Sequence, residues 1–369
     1  MSKSILYIGG FEMPDKNAAA QRVIANGKLL REVGFDVSYI GISKDIDNAP
    51  DIVNGFYSKP VPYPTNTTEW MHHIFTFLDT KTILKQNPDY VILYNFPAIA
   101  SLRILRACHK NGIRVIHDLT EWESSDSWTP SGIMRKIDIY LRMHYCTKKM
   151  DGVIAISRYL YDYYARYTKT ILIPPTIDLS DAKFNRNRQL VVNSPIRLVY
   201  AGSIGRGNKD RLDYIIDSVV NKKRLELTIV GLTAEQYESA YGPLPINCDN
   251  IFFKGRVTHQ EAVRIVCDSD FQMLIRDNSL KNKAGFPTKF VESMSCCTPV
   301  IATETSNICD YLIDGVNGYI VGENNSISRV LDKISNLESG KIITMKEKCR
   351  EFAGFDYRCF KSEFIELFK

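Results

Sequence analysis

The sequence predicts an α/β protein with two doubly wound parallel sheets. Short apolar runs alternate with amphipathic helical stretches along the 369 residues, which is the pattern of successive βα units. The alternation stops in the polar stretch 178–195 and restarts at Ile196. A chain of this length with 44% hydrophobic residues can form two separate cores.

The first half opens with an apolar strand, a turn and a helical repeat. Ser4–Ile8 is the strand, Gly9-Gly10 the turn, and the helix covers about Ala18–Glu32 before Gly34 ends it. The later elements are expected as strands Val37–Ile42, Tyr90–Tyr94, Arg114–Ile116, Gly152–Ile156 and Ile171–Ile173, with helices Ala98–Lys110, Ile133–Lys149 and Arg158–Arg166. Residues 43–75 contain four prolines and are expected to be irregular, either a substrate-facing loop or a surface insertion.

The second half repeats the alternation. A glycine-rich loop at 202–207 leads into a helix from about Asp210, and residues 325–369 are expected to be largely helical. The expected strands are Ile196–Tyr200, Leu225–Val230, Ile251–Phe253, Phe271–Ile275, Val300–Ala302 and Gly318–Val321. We therefore expect domains at 1–178 and 179–355, and a C-terminal helix at 356–369 that packs back towards the first. Because ligands bind at the carboxyl ends of parallel strands, the site is expected in the cleft between the domains.

Composition narrows the class of protein. The net charge of +5 and pI of about 8.6 are only mildly basic, which argues against a nucleic-acid partner. The nine cysteines are scattered without a Cys-x-x-Cys pair, as in a cytoplasmic protein with reduced thiols, and we expect no metal site. We expect no signal peptide, and no apolar stretch approaches the roughly 18–20 residues that span a bilayer.

The stretch from Lys283 to Thr303 carries the most specific pattern. It predicts a loop, a helix, a turn at Thr298-Pro299 and a buried strand. The start of such a helix is a natural anion site, because its free N–H groups and its dipole point at the ligand. Lys289 and Glu292 lie one turn apart, so one segment offers a cation and a carboxylate. A packed helix with merely solvated polar residues is the alternative.

This stretch, GFPTKFVESMSCCTPVIAT, and the later YLIDGVNGYIV resemble the nucleotide-binding signature of retaining GT-B glycosyltransferases. That large family includes sucrose synthases and mannosyltransferases. Further similar segments occur along nearly the whole chain: YIGG, DLTEW, DGVIAISRYL, ILIPPTID and YAGSIG. The chain is most similar to the bacterial surface-polysaccharide branch. The resemblance implies two Rossmann-like domains, a nucleotide-diphosphate-sugar donor and metal-independent transfer without a cofactor.

The resemblance also implies residue roles in donor binding. Glu292 matches the family glutamate that holds the ribose hydroxyls, and a carboxylate can accept two hydrogen bonds at once. A second family glutamate falls at Ala284, which leaves sugar contact to the neighbouring loop. The remaining loop and helix-start positions that match are Gly285, Phe286, Pro287 and Thr288.

Cations for the leaving diphosphate are implied at three places. In the loop after the first strand of the second domain, Gly202 is followed by Ser203, where the family has an arginine. Lys209 matches the family lysine, and Arg206 is a replacement for the missing charge. Arg276, at a strand end, and Lys289 complete the set, because the diphosphate gains negative charge as the sugar leaves. A solvated surface arginine is the alternative for Arg276.

The first domain offers candidates for the sugar and the acceptor. His117 and Asp118 end a strand, and Glu121 follows within DLTEW. His117 is a candidate donor to a sugar hydroxyl, and Asp118 or Glu121 a candidate for the acceptor; a packed histidine and a capping aspartate are the alternative. The turn Gly9-Gly10 corresponds to a family loop that contacts donor and acceptor. It lacks the Gly-x-Gly-x-x-Gly of a dinucleotide-binding enzyme.

The helix at 134–149 suggests where the protein works. This helix is either one that lies on an anionic membrane or an ordinary surface helix, because its cations interleave with apolar residues. The cations are Arg135, Lys136, Arg142, Lys148 and Lys149. The leading expectation is a cytoplasmic glycosyltransferase, on the inner face of the membrane, that extends a lipid-linked (polyprenyl-diphosphate) glycan of the bacterial surface. A non-catalytic nucleotide-sugar-binding partner subunit and a nucleotide-sugar epimerase of the same fold are the alternatives.

Overall fold

The computed structural model describes residues 2–14, 16–122, 128–202, 209–322 and 326–369. The chain divides into two compact units. The first contains the residues up to Ile177 together with Ala284–Phe286 and Asp356–Lys369, and the second contains Asp178–Lys283 and Pro287–Phe355.

The first unit is built on a sheet whose strands run parallel except at one edge. Its order is β10-β9-β8-β7-β1-β2-β5-β4, and only β4 pairs antiparallel among the described strands. A separate two-stranded parallel sheet joins β3 and β6. The strands are β1 (Ser4–Gly9), β2 (Asp36–Ile40), β3 (Ile42–Ser43), β4 (Ile52–Val53), β5 (Phe56–Ser58), β6 (Val61–Pro62), β7 (Tyr90–Tyr94), β8 (Arg114–Leu119), β9 (Gly152–Ala155) and β10 (Thr170–Leu172).

Both faces of this sheet are covered. Along β1, Ile5 and Tyr7 belong to one buried cluster, and Leu6 and Ile8 belong to the cluster on the opposite face. This placement follows from the two-residue period of a strand. The described helices are α1 (Ala18–Glu32), α2 (Thr67–Phe75), α3 (Thr80–Gln86), α4 (Ala98–His109), α5 (Pro130–Leu141) and α6 (Arg158–Tyr164). A polar side chain on β1 or a neighbouring strand is therefore enclosed on either face of the sheet.

The C-terminal segment completes the core of the first unit. Its last helix spans Lys361–Leu367, and Phe364, Leu367 and Phe368 join the same buried cluster as Tyr7. The Tyr90 hydroxyl donates a hydrogen bond to the Phe368 carbonyl at 3.1 Å.

The second unit has a fully parallel sheet in the order β13-β12-β11-β14-β15-β16. Its strands are β11 (Ile196–Ala201), β12 (Leu225–Val230), β13 (Ile251–Phe253), β14 (Phe271–Leu274), β15 (Val300–Thr303) and β16 (Gly318–Val321). Its described helices are α7 (Leu212–Val219), α8 (Ala234–Tyr241), α9 (His259–Cys267), α10 (Leu280–Ala284), α11 (Thr288–Ser295), α12 (Ile327–Ser335) and α13 (Ser339–Glu351), so that the C-terminal helix of the first unit is α14. The predicted α/β class with two doubly wound parallel sheets is confirmed.

Two local predictions were wrong. Residues 43–75 are not irregular throughout, because they contain β3–β6 and α2. The single helix expected over 133–149 is an α-helix only to Leu141, and a π-helical turn at Arg142–Cys146 and a 3₁₀ turn at Thr147–Lys149 follow it. The π-turn coincides with burial of Arg142, which is 4% exposed and donates to the Asn95 carbonyl at 2.9 Å.

Candidate functional site

The carboxyl ends of β11, β14 and β15 meet beside the start of α11. Pro287 precedes this helix with extended backbone, and Thr288 is its first residue. Lys289 follows on the first turn, and Arg276 lies two residues after the end of β14. Arg276 is anchored there, because its backbone N–H donates to the Thr303 hydroxyl at 2.8 Å and its carbonyl accepts from the same hydroxyl. The fold thus brings two of the predicted cations to one edge of one sheet.

A carboxylate joins these two cations. The Arg276 Nε donates to Asp210 Oδ1 at 2.6 Å, and the Lys289 ammonium donates to Asp210 Oδ2. The Tyr200 hydroxyl, at the end of β11, also donates to Oδ2, at 2.8 Å. Only 6% of the Asp210 side chain is exposed, compared with 10% for Arg276 and 19% for Lys289.

Charge pairing sets the protonation of this cluster. Burial alone would raise the pKa of Asp210, but the charges of Lys289 and Arg276 outweigh it and hold that pKa well below its usual range. Burial lowers the pKa of Lys289, and the Asp210 charge opposes that effect. Burial, reinforced by the Asp210 charge, raises the pKa of Tyr200. Asp210 is therefore ionised between the two basic side chains.

Gly202 makes room for the Lys289 side chain. A Cβ at position 202 would lie 2.1 Å from the Lys289 Nζ and 2.2 Å from its Cε. Any side chain there would displace the ammonium from its place over the Tyr200 ring, whose centroid is 4.1 Å away. Gly202, the first glycine of the predicted loop, thus leaves the space that the Lys289 side chain of α11 occupies.

Glu292 lies on α11, one turn beyond Lys289. Its Oε1 is 2.9 Å from the Nε2 of His259, the first residue of α9. The Glu292 side chain is 22% exposed, so the carboxylate can still be reached from solvent. An accessible, oriented carboxylate is suited to accept hydrogen bonds from a diol.

Residues Ala284–Phe286, just before α11, belong to the first unit. Ala284 is fully buried, and its carbonyl accepts a 2.6 Å hydrogen bond from the Ser157 hydroxyl. Phe286 is 6% exposed, and Gly285 and Pro287 are buried as well. At position 284 the methyl group is enclosed, so that side chain offers nothing polar to a sugar.

His117 does not have the position expected of a sugar ligand. It points from β8 into the interior, where its Nδ1 lies 3.0 Å from the Thr147 hydroxyl and its Nε2 lies 3.1 Å from the Ser101 hydroxyl. The ring is fully buried, and burial, aided by the Arg142 charge, lowers the pKa of His117 to about 3. With both nitrogens occupied, the geometry corrects the prediction and gives His117 a structural place.

Asp118 is also enclosed, on the opposite face of β8. Its carboxylate is fully buried and pairs with the Arg22 guanidinium, whose NH2 group donates to Oδ1 at 2.8 Å. The Tyr7 hydroxyl donates to its other oxygen, and Asn26 Nδ2 lies 3.3 Å from that oxygen. This network ties α1 to the sheet, so the prediction that Asp118 binds the acceptor is corrected in the same way.

Among the other predicted residues, Gly9, Gly10 and Glu121 belong to the first unit, and Lys209 directly precedes Asp210 in the second. Gly9 ends β1, where a Cβ would lie 2.6 Å from Tyr94 Cβ, and Gly10 is exposed. Glu121 is half-buried just after β8. Lys209 is also half-buried, and its carbonyl accepts from Asn282 at 3.2 Å. Ser203 and Arg206 lie outside the described residues.

Sequence reasoning missed three members of the site: Asp210, Tyr200 and His259. Asp210 directly follows the predicted Lys209, and only its contacts with one lysine and one arginine from distant segments reveal its part. Tyr200 occupies the expected strand, where a tyrosine is ordinary core. His259 is the first residue of α9 and follows the N-cap Thr258. A threonine in this position is a local signal for the start of a helix.

Among the described residues, no helix combines the length and the apolar character needed to cross a membrane.

Known proteins share this architecture and part of this sequence. Residues 195–339 match the family described as Glycosyl transferases group 1. A curated relative from Methanocaldococcus jannaschii, named an uncharacterized glycosyltransferase, is 29% identical over 119 residues. These residues cover 30% of this chain and 33% of the relative. The match thus spans about a third of that relative's length.

Solved structures match the whole chain in fold. The sucrose-phosphate synthase of Thermosynechococcus elongatus superposes with a TM-score of 0.73 at 16% identity, covering 99% of this chain and 98% of that one. Anabaena HepE, solved in complex with UDP, gives a TM-score of 0.65 at 14% identity and covers 99% of each chain. The chain thus has the GT-B fold, and the glycosyl transferases group 1 family is the one that its second unit matches.

Proposed function

We propose that the protein is a glycosyltransferase that moves a sugar from a nucleotide-diphosphate donor to a glycan acceptor. The observation that carries this proposal is that Arg276 and Lys289 lie together at the strand ends, joined by Asp210. Glu292 lies on α11, one helical turn beyond Lys289. Two cations and a helix start suit a diphosphate, and a reachable carboxylate suits a ribose. The family match over 195–339 covers these same residues.

The finer parts of the proposal follow from the sequence resemblance. The acceptor is a lipid-linked glycan of a bacterial surface polysaccharide, and transfer retains the anomeric configuration without a metal. Arg276 and Lys289 stabilise the charge that develops on the leaving diphosphate, with Lys209 as a further cation. Glu292 holds the ribose, and the backbone of Gly285 and Phe286 aligns the sugar. The acceptor contact remains assigned to Glu121 and the Gly9-Gly10 turn.

The test is donor turnover with and without acceptor glycan. A transferase consumes the donor efficiently only with acceptor, and an epimerase converts the sugar without one. A binding subunit binds the donor and turns over nothing under either condition, a possibility that the enclosed methyl group of Ala284 favours. Donor loss independent of acceptor would contradict the transferase proposal.

Replacing Glu292 with alanine is expected to weaken donor binding by about tenfold to a hundredfold, because hydrogen bonds to a charged group contribute roughly 1.5–3 kcal/mol. Titration calorimetry with the nucleotide sugar measures this loss directly. Glu347→Ala, an exposed glutamate on α13, is the matched control and should bind as the wild type does. Donor affinity unchanged in Glu292→Ala would remove the ribose role.

We further propose that one surface of the first unit rests on the membrane that carries the acceptor. Ile133, Ile137 and Tyr140 lie along one face of α5 and are 44%, 55% and 64% exposed. Nearby, Trp128 is 82% exposed, with the Lys136 ammonium 3.7 Å from its ring centroid. The acid of α5, Asp138, is buried and accepts from the Ala98 N–H, so it does not oppose these cations. Exposed apolar and aromatic side chains beside lysines are typical of an interfacial surface.

This surface differs from the predicted one, because Arg142 is buried and contributes no charge to it. The double variant Ile137→Ser, Lys136→Glu is expected to lose most of its co-sedimentation with phosphatidylglycerol vesicles, while phosphatidylcholine vesicles bind little of either protein. Lys81→Glu, an exposed lysine on α3, is the charge-matched control. Equal sedimentation of the double variant and the wild type would exclude this face as the anchor.

A further inference from the structure

Asp210 is a buried carboxylate held from several directions. Its side chain contacts both cations of the site and the Tyr200 hydroxyl. Its carbonyl accepts from the Tyr241 hydroxyl at 3.0 Å, and the next N–H, of Arg211, donates to the Ile275 carbonyl at 2.8 Å. The backbone therefore fixes this carboxylate at the strand ends, where a diphosphate would meet the same cations.

The Lys289 ammonium depends on this neighbour. It is largely enclosed, and the charged and titratable groups that face it are Asp210, Arg276, Glu292 and the Tyr200 hydroxyl. Burial favours the neutral amine, and the positive charge of Arg276 acts in the same direction. Of the two carboxylates, only Asp210 is in direct contact with the ammonium; Glu292 pairs with His259.

We propose that Asp210 is a positioning residue for the diphosphate: its carboxylate keeps the Lys289 ammonium charged and fixed between Tyr200 and Gly202. The inference rests on the proposed function, since it assumes that Lys289 binds the diphosphate. Asp210 acts through Lys289 and Arg276 and makes no contact with the ligand. Without it, Lys289 would lose its proton at a lower pH, and a neutral amine neither attracts a diphosphate nor neutralises its charge.

The test is the pH dependence of nucleoside diphosphate binding, measured by calorimetry with UDP, GDP and dTDP as probes. The expected result for Asp210→Asn, which is close to isosteric, is that the pH at which affinity falls by half moves down by about one unit or more. Affinity near neutral pH should also fall, because the Lys289 side chain is no longer held in place by a carboxylate and a larger share of it is neutral. Asp210→Glu retains the charge and should restore much of the wild-type profile.

A second variant tests the same idea with Asp210 intact. In Lys289→Arg the cation has a pKa above about 12, so the loss of binding at high pH should disappear. The double variant Asp210→Asn, Lys289→Arg should likewise bind independently of pH. The single variant Lys289→Arg remains informative even if Asp210→Asn fails to fold, which circular dichroism detects.

Three outcomes would overturn the inference. An unchanged pH profile in Asp210→Asn would show that Asp210 does not control the charge of Lys289. Tighter binding at every pH would show that Asp210 merely competes with the diphosphate for the two cations. A wild-type profile in Lys289→Arg would show that another group titrates. If the wild-type protein binds none of the three probes at any pH, the proposed function fails together with this inference, and that result differs from all three.

Discussion

Replacing Lys289 with methionine is expected to lower kcat/KM by about a hundredfold to a thousandfold, the loss typical when one donor to a developing anion is removed. Methionine is of similar length and suits the partly buried position, so the packing of α11 should persist. The variant leaves Asp210 paired with Arg276 and removes one of the two positive charges at the strand ends. Steady-state kinetics with donor and acceptor measure the effect.

The matched control for Lys289→Met is Lys283→Met. Lys283 lies on the same segment, at α10, and is exposed. We expect this control to keep wild-type kinetics and the same melting temperature. Wild-type turnover in Lys289→Met would show that the cation cluster has no part in stabilising the leaving group.

Replacing Lys346 with methionine is expected to destabilise the protein by about 3–5 kcal/mol, because it leaves a buried carboxylate without its counter-ion. Lys346 is 2% exposed and pairs with Asp270 at 2.7 Å, and it also donates to the carbonyls of Val191 and Ser269. Asp270 is fully buried just before β14, where it accepts from the Arg197 N–H of the neighbouring β11 at 2.9 Å. Urea denaturation followed by circular dichroism measures the loss.

Two further variants identify the cause of that loss. Lys348→Met removes an exposed lysine from the same helix and should change stability by no more than about 0.5 kcal/mol. Asp270→Asn combined with Lys346→Met removes both charges and should recover part of the stability. If the single variant unfolds at the wild-type urea concentration, this ion pair does not hold α13 to the sheet.

The fold class could be predicted because many strands of the two large sheets are short apolar runs buried on both faces. Val300–Thr303 and Tyr90–Tyr94 stand out for this reason, and their positions agree with the structure to within a residue. The break after Leu141 could not be predicted, because it accompanies a contact between Arg142 and the distant Asn95 carbonyl. Helical periodicity records what the local chain favours, whereas tertiary hydrogen bonds decide where a helix changes form.

The site could be predicted only in part, and the reason is again distance along the chain. Lys289 and Glu292 are three residues apart on one helix, so spacing alone places them together. Asp210 reaches Lys289 across 79 residues and Arg276 across 66, which no local pattern records. His117 and Asp118 were misjudged because a strand end suggests exposure, whereas the layers on both faces of β8 enclose both side chains.

The most direct test of the central claim is calorimetric titration of UDP, GDP and dTDP into the wild-type protein and Lys289→Met, with Lys283→Met as control. The account predicts that the wild type and the control bind at least one of these nucleotides. At a hundredfold excess over its dissociation constant, that nucleotide should stabilise the fold by about 2.7 kcal/mol. Lys289→Met should bind it about a hundredfold more weakly. Equal affinity in Lys289→Met, or no binding of any of the three by the wild type, would contradict the account.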